Sequence, residues 1–431
     1  MTFLERSRNI IFWSLDVLKN NSVKAHYKEV KFINENPNDS VAIEKKNNLL
    51  LDLIAHAQKT TKFYSKINSK TLEDFPVVDK NIIINQFDDF MSSAFNKEDL
   101  DKSTTSGSTG VPFEIYKNSN KLSRNSADVI YFSELAYYEI GSQLVYVRLW
   151  DKKFMKSKFE FFSKNIVPHN ILENSQTEII RLLDTLKKSK SKKTLMIYPS
   201  FLEEMCKHMD TNTFELGDFN VRSIIATSEK LNDYEKEKAQ LYFNCPIYGR
   251  YSNADNGIIA QNTINHTICF QVNHASYYVE ILDVDTNKHV KNGEVGKIVV
   301  TDLFNFSMPF IRYDTGDLAE YKEMENGYPV FSKIYGRRMD SVYNTAGKFV
   351  SPHIFYKISH YSKLKQYQFI QNTATSYTFK LNATKKDTQE EDMTAYFKNH
   401  LGDDATFSFE YVDEIMQLAS GKRKKVVNLM S

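Results

Sequence analysis

Thr105-Ser106-Gly107-Ser108-Thr109-Gly110 is preceded by Thr104 and followed by Val111-Pro112. These small residues let the backbone come close to a ligand, and the glycines admit the unusual dihedrals of a wrapped loop. Hydroxyls and free amides together suit a polyphosphate. The stretch is not a Walker loop, because no G-x-x-x-x-G-K-[ST] is present. Taken alone, it also reads as an ordinary turn, so its meaning depends on what surrounds it.

Downstream, Phe113-Glu114-Ile115-Tyr116 alternates and reads as a strand. A helix-like region, 123–140, leads to Leu144-Val145-Tyr146-Val147, a second strand. Strand and helix patterns alternate again through Thr194-Leu195-Met196-Ile197-Tyr198 and Ser223-Ile224-Ile225-Ala226. Such βα alternation predicts a layered α/β body with helices over a partly parallel sheet. From Tyr277 to Tyr335 strands dominate, with Asn292-Gly293 as a turn signal.

Upstream, residues 3–68 have a helical pattern, in which Leu50, Leu51, Leu53, Ile54 and Ala57 recur at helix spacing. Beyond about residue 340, two strands (366–370 and 377–381), a charged helix at 387–400 and a third strand (406–411) predict a small α+β domain. The expected organisation is a large N-terminal α/β domain over 1–339 and a small mobile C-terminal α+β domain over 340–431.

The 431 residues exceed one ordinary core. Fifty-six basic residues nearly cancel 54 acidic ones, for a net charge of +2. That balance gives no global field for nucleic acid or an anionic membrane. The basic run at 187–193 reads as a solvated loop or helix end. Cys206, Cys245 and Cys269 form no C-x-x-C pair and no disulfide framework, so a reducing compartment is expected. His353 and His360 read as surface residues, and there is no H-E-x-x-H. Ile10-Ile11-Phe12-Trp13 breaks at Ser14 and Asp16, far short of the ~20 apolar residues of a membrane span. It reads as an amphipathic helix lying against the large domain, with weak association with a membrane surface left open. A cytoplasmic protein is expected.

Five segments in order give the loop its context. After the loop come Arg250-Tyr251-Ser252-Asn253-Ala254-Asp255-Asn256-Gly257 and Tyr313-Asp314-Thr315-Gly316-Asp317. Gly336-Arg337-Arg338-Met339-Asp340 follows, then Gly347-Lys348 and finally Ser420-Gly421-Lys422. The set resembles the motifs of the adenylate-forming superfamily of acyl-coenzyme A synthetases, luciferases and peptide-synthetase adenylation domains. Phe75-Pro76-Val77-Val78-Asp79-Lys80, Tyr198-Pro199-Ser200 and Ala226-Thr227-Ser228-Glu229-Lys230-Leu231 resemble the phenylacetate–coenzyme A ligase-like branch, including relatives in capsular polysaccharide pathways. The resemblance covers nearly the whole chain.

The resemblance implies activation of a small carboxylic acid by ATP and Mg2+, through an acyl-adenylate. Ser106, Gly107, Ser108, Thr109 and Gly110 would hold the β- and γ-phosphates. Asp255 would be the magnesium ligand, where the common pattern Tyr-Gly-x-x-Glu has a glutamate. An alternative frame beginning at Tyr248-Gly249 puts Ser252 at the acid position. Tyr251 would stack near adenine, with Asn253, Ser228 and Glu229 also in the nucleotide site. Asp317 would accept from the ribose hydroxyls, although it also reads as a turn residue after Gly316. Arg337 would steady the nucleotide.

Lys422 would reach between carboxylate and phosphate as the catalytic cation. The competing reading is that Lys422-Arg423-Lys424-Lys425 is a solvated tail. Asp340 would be the pivot of a domain rotation between half-reactions. A Cys/His zinc cluster, found in some members of the branch, is ruled out by the cysteine count.

Three outcomes remain open for the acyl group: transfer to coenzyme A, transfer to an amine on a sugar or polysaccharide precursor, or no turnover in a degenerate nucleotide-binding protein. Tyr131, Phe132, Tyr137 and Tyr138, read as one helix, either line an acyl pocket or belong to the core.

Overall fold

The computed structural model describes residues 1–105, 113–150, 155–171, 176–211, 219–323, 329–337, 342–350, 354–355, 358, 361, 364, 366–416 and 424–430. The chain divides into two compact units. The first comprises Met1–Thr315 and Ala319–Ile334, the second Gly316–Leu318 and Tyr335–Ser431.

Among the described residues, the largest sheet has 11 strands. Its parallel part runs Ile166–Asn170, Gln143–Arg148, Lys193–Ile197, Val221–Thr227 and Ile247–Asn253. It continues antiparallel through Gly257–Thr263 and His266–Val272 to Pro329–Arg337. Tyr313–Glu323, Val295–Asp302 and Tyr277–Leu282 complete it.

The inner parallel strands Gln143–Arg148, Lys193–Ile197 and Val221–Thr227 are largely buried, as strands of a helix-covered parallel sheet are. Helix Gln176–Lys188 buries Ile179, Leu182, Leu183 and Leu186, at i, i+3, i+4 and i+7. With helix Pro199–Thr211 it packs on Val145, Val147, Leu195, Ile197 and Ile224. Lys193 departs from the solvated basic run expected at 187–193. It is buried in its strand, and its ammonium donates to the carbonyls of Leu186 at 3.0 Å, Ser189 at 2.9 Å and Phe219 at 2.5 Å.

Helix Ser119–Glu134 carries a buried ionic network. The Lys121 ammonium lies 2.6 Å from Asp302, with both side chains at or below 1% exposure. Arg124 pairs with Glu29 at 2.6 Å and donates to Ser276 Oγ at 2.7 Å. Ser276 in turn donates to Asp128, whose carboxyl is pushed up by burial against the opposing pull of Arg124 and Lys121. Removing one member of a buried pair strands the other charge. We expect Lys121→Met to cost about 3–5 kcal/mol of unfolding free energy, measured by urea denaturation, with part recovered in Lys121→Met/Asp302→Leu.

The first helix, Phe3–Val17, belongs to the first unit and turns both of its acids inward, beside the partly buried Phe12 and Trp13, while most of its other apolar residues face outward. Glu5 and Asp16 are buried while Ile10 and Ile11 are 65% and 57% exposed. The reason is local hydrogen bonding. Glu5 and Thr2 form a capping box, and Asp16 accepts from the amides of Val23 and Lys24 in the next helix. Gly141, at φ +93°, admits this approach, since a Cβ there would stand 2.3 Å from the Glu5 carbonyl oxygen.

In the second unit, a four-stranded sheet runs in the order Thr406–Tyr411, Ser376–Asn382, Gln366–Gln371, Val426–Asn428. The last strand follows directly on Lys422-Arg423-Lys424-Lys425 in the sequence. Met393, Phe397 and Leu401 of helix Glu390–Leu401 pack in one core with Phe369, Phe379 and Leu381.

Candidate active site

Strands Asp101–Thr105 and Phe113–Lys117 pair antiparallel from Asp101↔Lys117 to Thr105↔Phe113. The serine- and threonine-rich segment therefore joins the two arms of a hairpin. Ser106, Gly107, Ser108, Thr109 and Gly110 lie outside the described residues, as do Asp340 and Lys422. Phe113 and Ile115 fix the second arm by burial in a core with Phe310, Ile311 and Tyr313.

At the end of that arm the Lys117 ammonium donates to the carbonyl of Ala254 at 2.6 Å. Burial, with Lys121 nearby, lowers the Lys117 pKa to about 8, while Asp302 and Asp255 pull it upward. The hairpin that carries the loop is thus tied directly to the turn that carries Asp255.

That turn is tight. Asn253 pairs with Gly257 across strands Ile247–Asn253 and Gly257–Thr263. The Asn256 amide donates to Asn253 Oδ1 at 2.7 Å, so this oxygen holds the backbone of the turn. Tyr277 OH donates to the Asn256 carbonyl at 2.7 Å. Gly257 sits at φ +125°, and a Cβ there would meet Asn125 Oδ1 and Tyr277 OH at 2.9 Å. Asp255 itself is 7% exposed and accepts a hydrogen bond from Tyr313 OH at 2.8 Å.

Between the two sequence frames, this geometry favours Asp255. Its carboxylate is oriented by the tyrosine of Tyr313-Asp314-Thr315-Gly316-Asp317, whereas Tyr248 is packed into a core with Met196 and Ile225. Tyr251 bonds through its hydroxyl to Thr315 Oγ1 at 3.3 Å and packs beside Phe331. One carboxylate with one oxygen already engaged fits a magnesium ion carried mainly by phosphates and water.

Ser228 and Glu229 follow strand Val221–Thr227, at the carboxyl end of the parallel sheet, where open α/β sheets take ligands. Ser228 has φ +71° and a side-chain hydrogen bond with Tyr198. Burial pushes the Tyr198 hydroxyl up, while that bond and the Arg148 charge pull it down. The Arg148 guanidinium sits 5.4 Å from the ring centres of both Tyr146 and Trp150. Glu229 Oε2 accepts from the Ser200 amide at 2.8 Å, so part of this carboxylate serves the start of helix Pro199–Thr211.

In the second unit, Arg337 Nε lies 3.4 Å from Asp317 Oδ1, with the arginine half exposed and the aspartate nearly buried. Tyr131 and Phe132 are packed into a core with Val30 and Ala127, which removes them as pocket candidates. Tyr137 and Tyr138 lie past the end of helix Ser119–Glu134, and Tyr137 has φ +61°. The expected single aromatic stripe is therefore broken.

Lys117 and Tyr277 were not singled out by the sequence reading. Lys117 shares the buried face of its strand with Phe113 and Ile115, and a lysine at such a position is the available signal.

This architecture is the fold of the adenylate-forming ligases. The chain superposes on 2-hydroxyisobutyryl-CoA ligase in its postadenylation state in complex with 2-HIB-AMP, with TM-score 0.70, 15% identity and coverage of 89% of each chain. ATP-bound MatB from Rhodopseudomonas palustris gives TM-score 0.56 at 17% identity, covering 78% of this chain and 68% of that one. Residues 342–429 match the family described as the CapK C-terminal domain. The chain is also 23% identical to Protein CapK of Staphylococcus aureus, over 99% of both sequences.

Proposed function

We propose that this chain is an AMP-forming acid ligase, which activates a carboxylic acid with ATP and transfers the acyl group to coenzyme A. The observation that supports this reading is the linkage of three motifs in the first unit. The loop hairpin reaches the Asp255 turn through Lys117, and Asp255 is oriented by Tyr313. The ligases with which the fold is shared include complexes with an acyl-adenylate and with ATP.

In the first half-reaction a carboxylate oxygen attacks the α-phosphorus of ATP. The bond from that phosphorus to the bridging oxygen breaks, and pyrophosphate leaves. Two anions must be brought together, so the site's task is charge neutralisation and alignment. Ser106, Gly107, Ser108, Thr109 and Gly110 hold the β- and γ-phosphates through amides and hydroxyls. Asp255 would hold Mg2+, which would supply further neutralisation when bound. Tyr251, Asn253, Ser228 and Glu229 belong to the nucleotide site. Asp317 accepts from the ribose hydroxyls, with Arg337 beside it, and Lys422 enters between carboxylate and phosphate. In the second half-reaction a thiol sulfur attacks the acyl carbon, AMP leaves, and the thiol proton passes to solvent. Asp340 is the pivot between the two.

The alternative acceptor is an amine on a sugar or polysaccharide precursor, which the motif resemblance to relatives in capsular polysaccharide pathways motivates. The two are separated by incubating the protein with ATP and a panel of acids, then adding coenzyme A or amino sugars. Formation of AMP with an acyl-thioester supports the first reading, and an amide product the second. ADP formation, or no nucleotide turnover with any acid, removes both.

A further inference from the structure

Helix Phe3–Val17 presents most of its apolar residues to solvent, Phe12 and Trp13 being the partly buried exceptions. Phe3 is 82% exposed, Leu4 62%, Ile10 65%, Ile11 57%, Leu15 54% and Val17 53%, and Leu18 just beyond is 80%. At about 100° per residue these positions fill one continuous arc of about 160°. The only polar residues inside the arc are Ser7 and Ser14. Arg6 borders one edge and Arg8 the other. Both acids of the helix, Glu5 and Asp16, point into the protein and are consumed by helix caps.

The short helix Lys158–Lys164 extends the same surface. Arg8 stands 5.0 Å over the ring of Phe162, and Phe162 and Phe159 are 67% and 79% exposed. Exposed Lys156 and Lys158 precede Phe159, and the one acid of this helix, Glu160, is paired with Lys164 at 2.7 Å.

We infer that this face is a docking surface for an anionic phospholipid bilayer. Apolar side chains flanked by cations, with the acids turned away, are what an interfacial helix needs. The chains enter the acyl boundary while the arginines and lysines stay with lipid phosphates. A second copy of the chain fits less well, because a symmetric pairing would bring Arg6 and Arg8 of each copy against the same cationic rim. Among the described residues no helix is long and apolar enough to cross a membrane, so the contact is peripheral.

The test is flotation of the full chain with vesicles of phosphatidylcholine alone, and with phosphatidylglycerol added at roughly one part in three. The protein should float with the anionic vesicles and lose binding as salt is raised. Leu4→Ser/Ile11→Ser and, separately, Arg6→Glu/Arg8→Glu should each weaken partitioning by at least about tenfold, with unchanged circular dichroism. Ile268→Ser, at an apolar residue of strand His266–Val272 that is 85% exposed, should leave it unchanged. Absence of flotation with anionic vesicles would overturn the inference. Equal binding by the helix variants would do the same, as would a dimer broken by Ile11→Ser in a chain that ignores vesicles.

Discussion

Asp255→Asn is expected to lower acid-dependent ATP–pyrophosphate exchange by roughly 100- to 1,000-fold, the range seen when one preorganised electrostatic group is lost. The substitution keeps the size of the side chain and an oxygen able to accept from Tyr313 OH, now 2.8 Å from the carboxylate. The turn is held separately by the Asn253 side chain, Lys117 and Tyr277, so it should persist. The thermal midpoint should therefore move little while the magnesium concentration needed for half-maximal exchange rises. A fall in activity that tracks a fall in stability, with no change in magnesium dependence, would make Asp255 a structural residue.

The second large effect is expected at Lys422. Lys422→Ala should remove roughly 100-fold or more of the exchange rate while leaving ATP affinity within about threefold, because the ammonium acts on charge that develops in the transition state. Lys424→Ala serves as the control for a merely basic tail, and its exchange should stay near that of the parent. Equal losses in the two variants, or none in either, would favour the solvated-tail reading.

The fold was legible wherever periodicity and burial coincide. The runs at 144–147, 194–198 and 223–226 are three of the parallel strands, observed as Gln143–Arg148, Lys193–Ile197 and Val221–Thr227. Helix ends were less legible, since the apolar pattern around Tyr137 and Tyr138 continues past the point where Tyr137 turns to positive φ. Motif order singled out the Asp255 segment and the Tyr313–Asp317 segment, but not the hydrogen bond that joins Tyr313 to Asp255. What holds the turn was not legible either, because hydrogen bonds from buried Lys117 and Tyr277 to backbone carbonyls have no periodic signature. The same holds for Lys121 and Arg124, whose pairings with Asp302 and Glu29 join residues far apart in the chain. The first helix was legible as amphipathic but not in its orientation. Glu5 and Asp16 are drawn inward by the capping box with Thr2 and by the amides of Val23 and Lys24 at the start of the next helix, bonds that an apolar-periodicity reading does not register.

Acid activation is tested most directly by ATP–pyrophosphate exchange without any acceptor, run across a broad panel of carboxylic acids. The loop hairpin, Asp255 and Tyr313 together predict that at least one acid drives labelled pyrophosphate into ATP, with no exchange when the acid is omitted. ATP binding without exchange for any acid in the panel would contradict an acyl-adenylate intermediate and leave a nucleotide-binding protein without turnover.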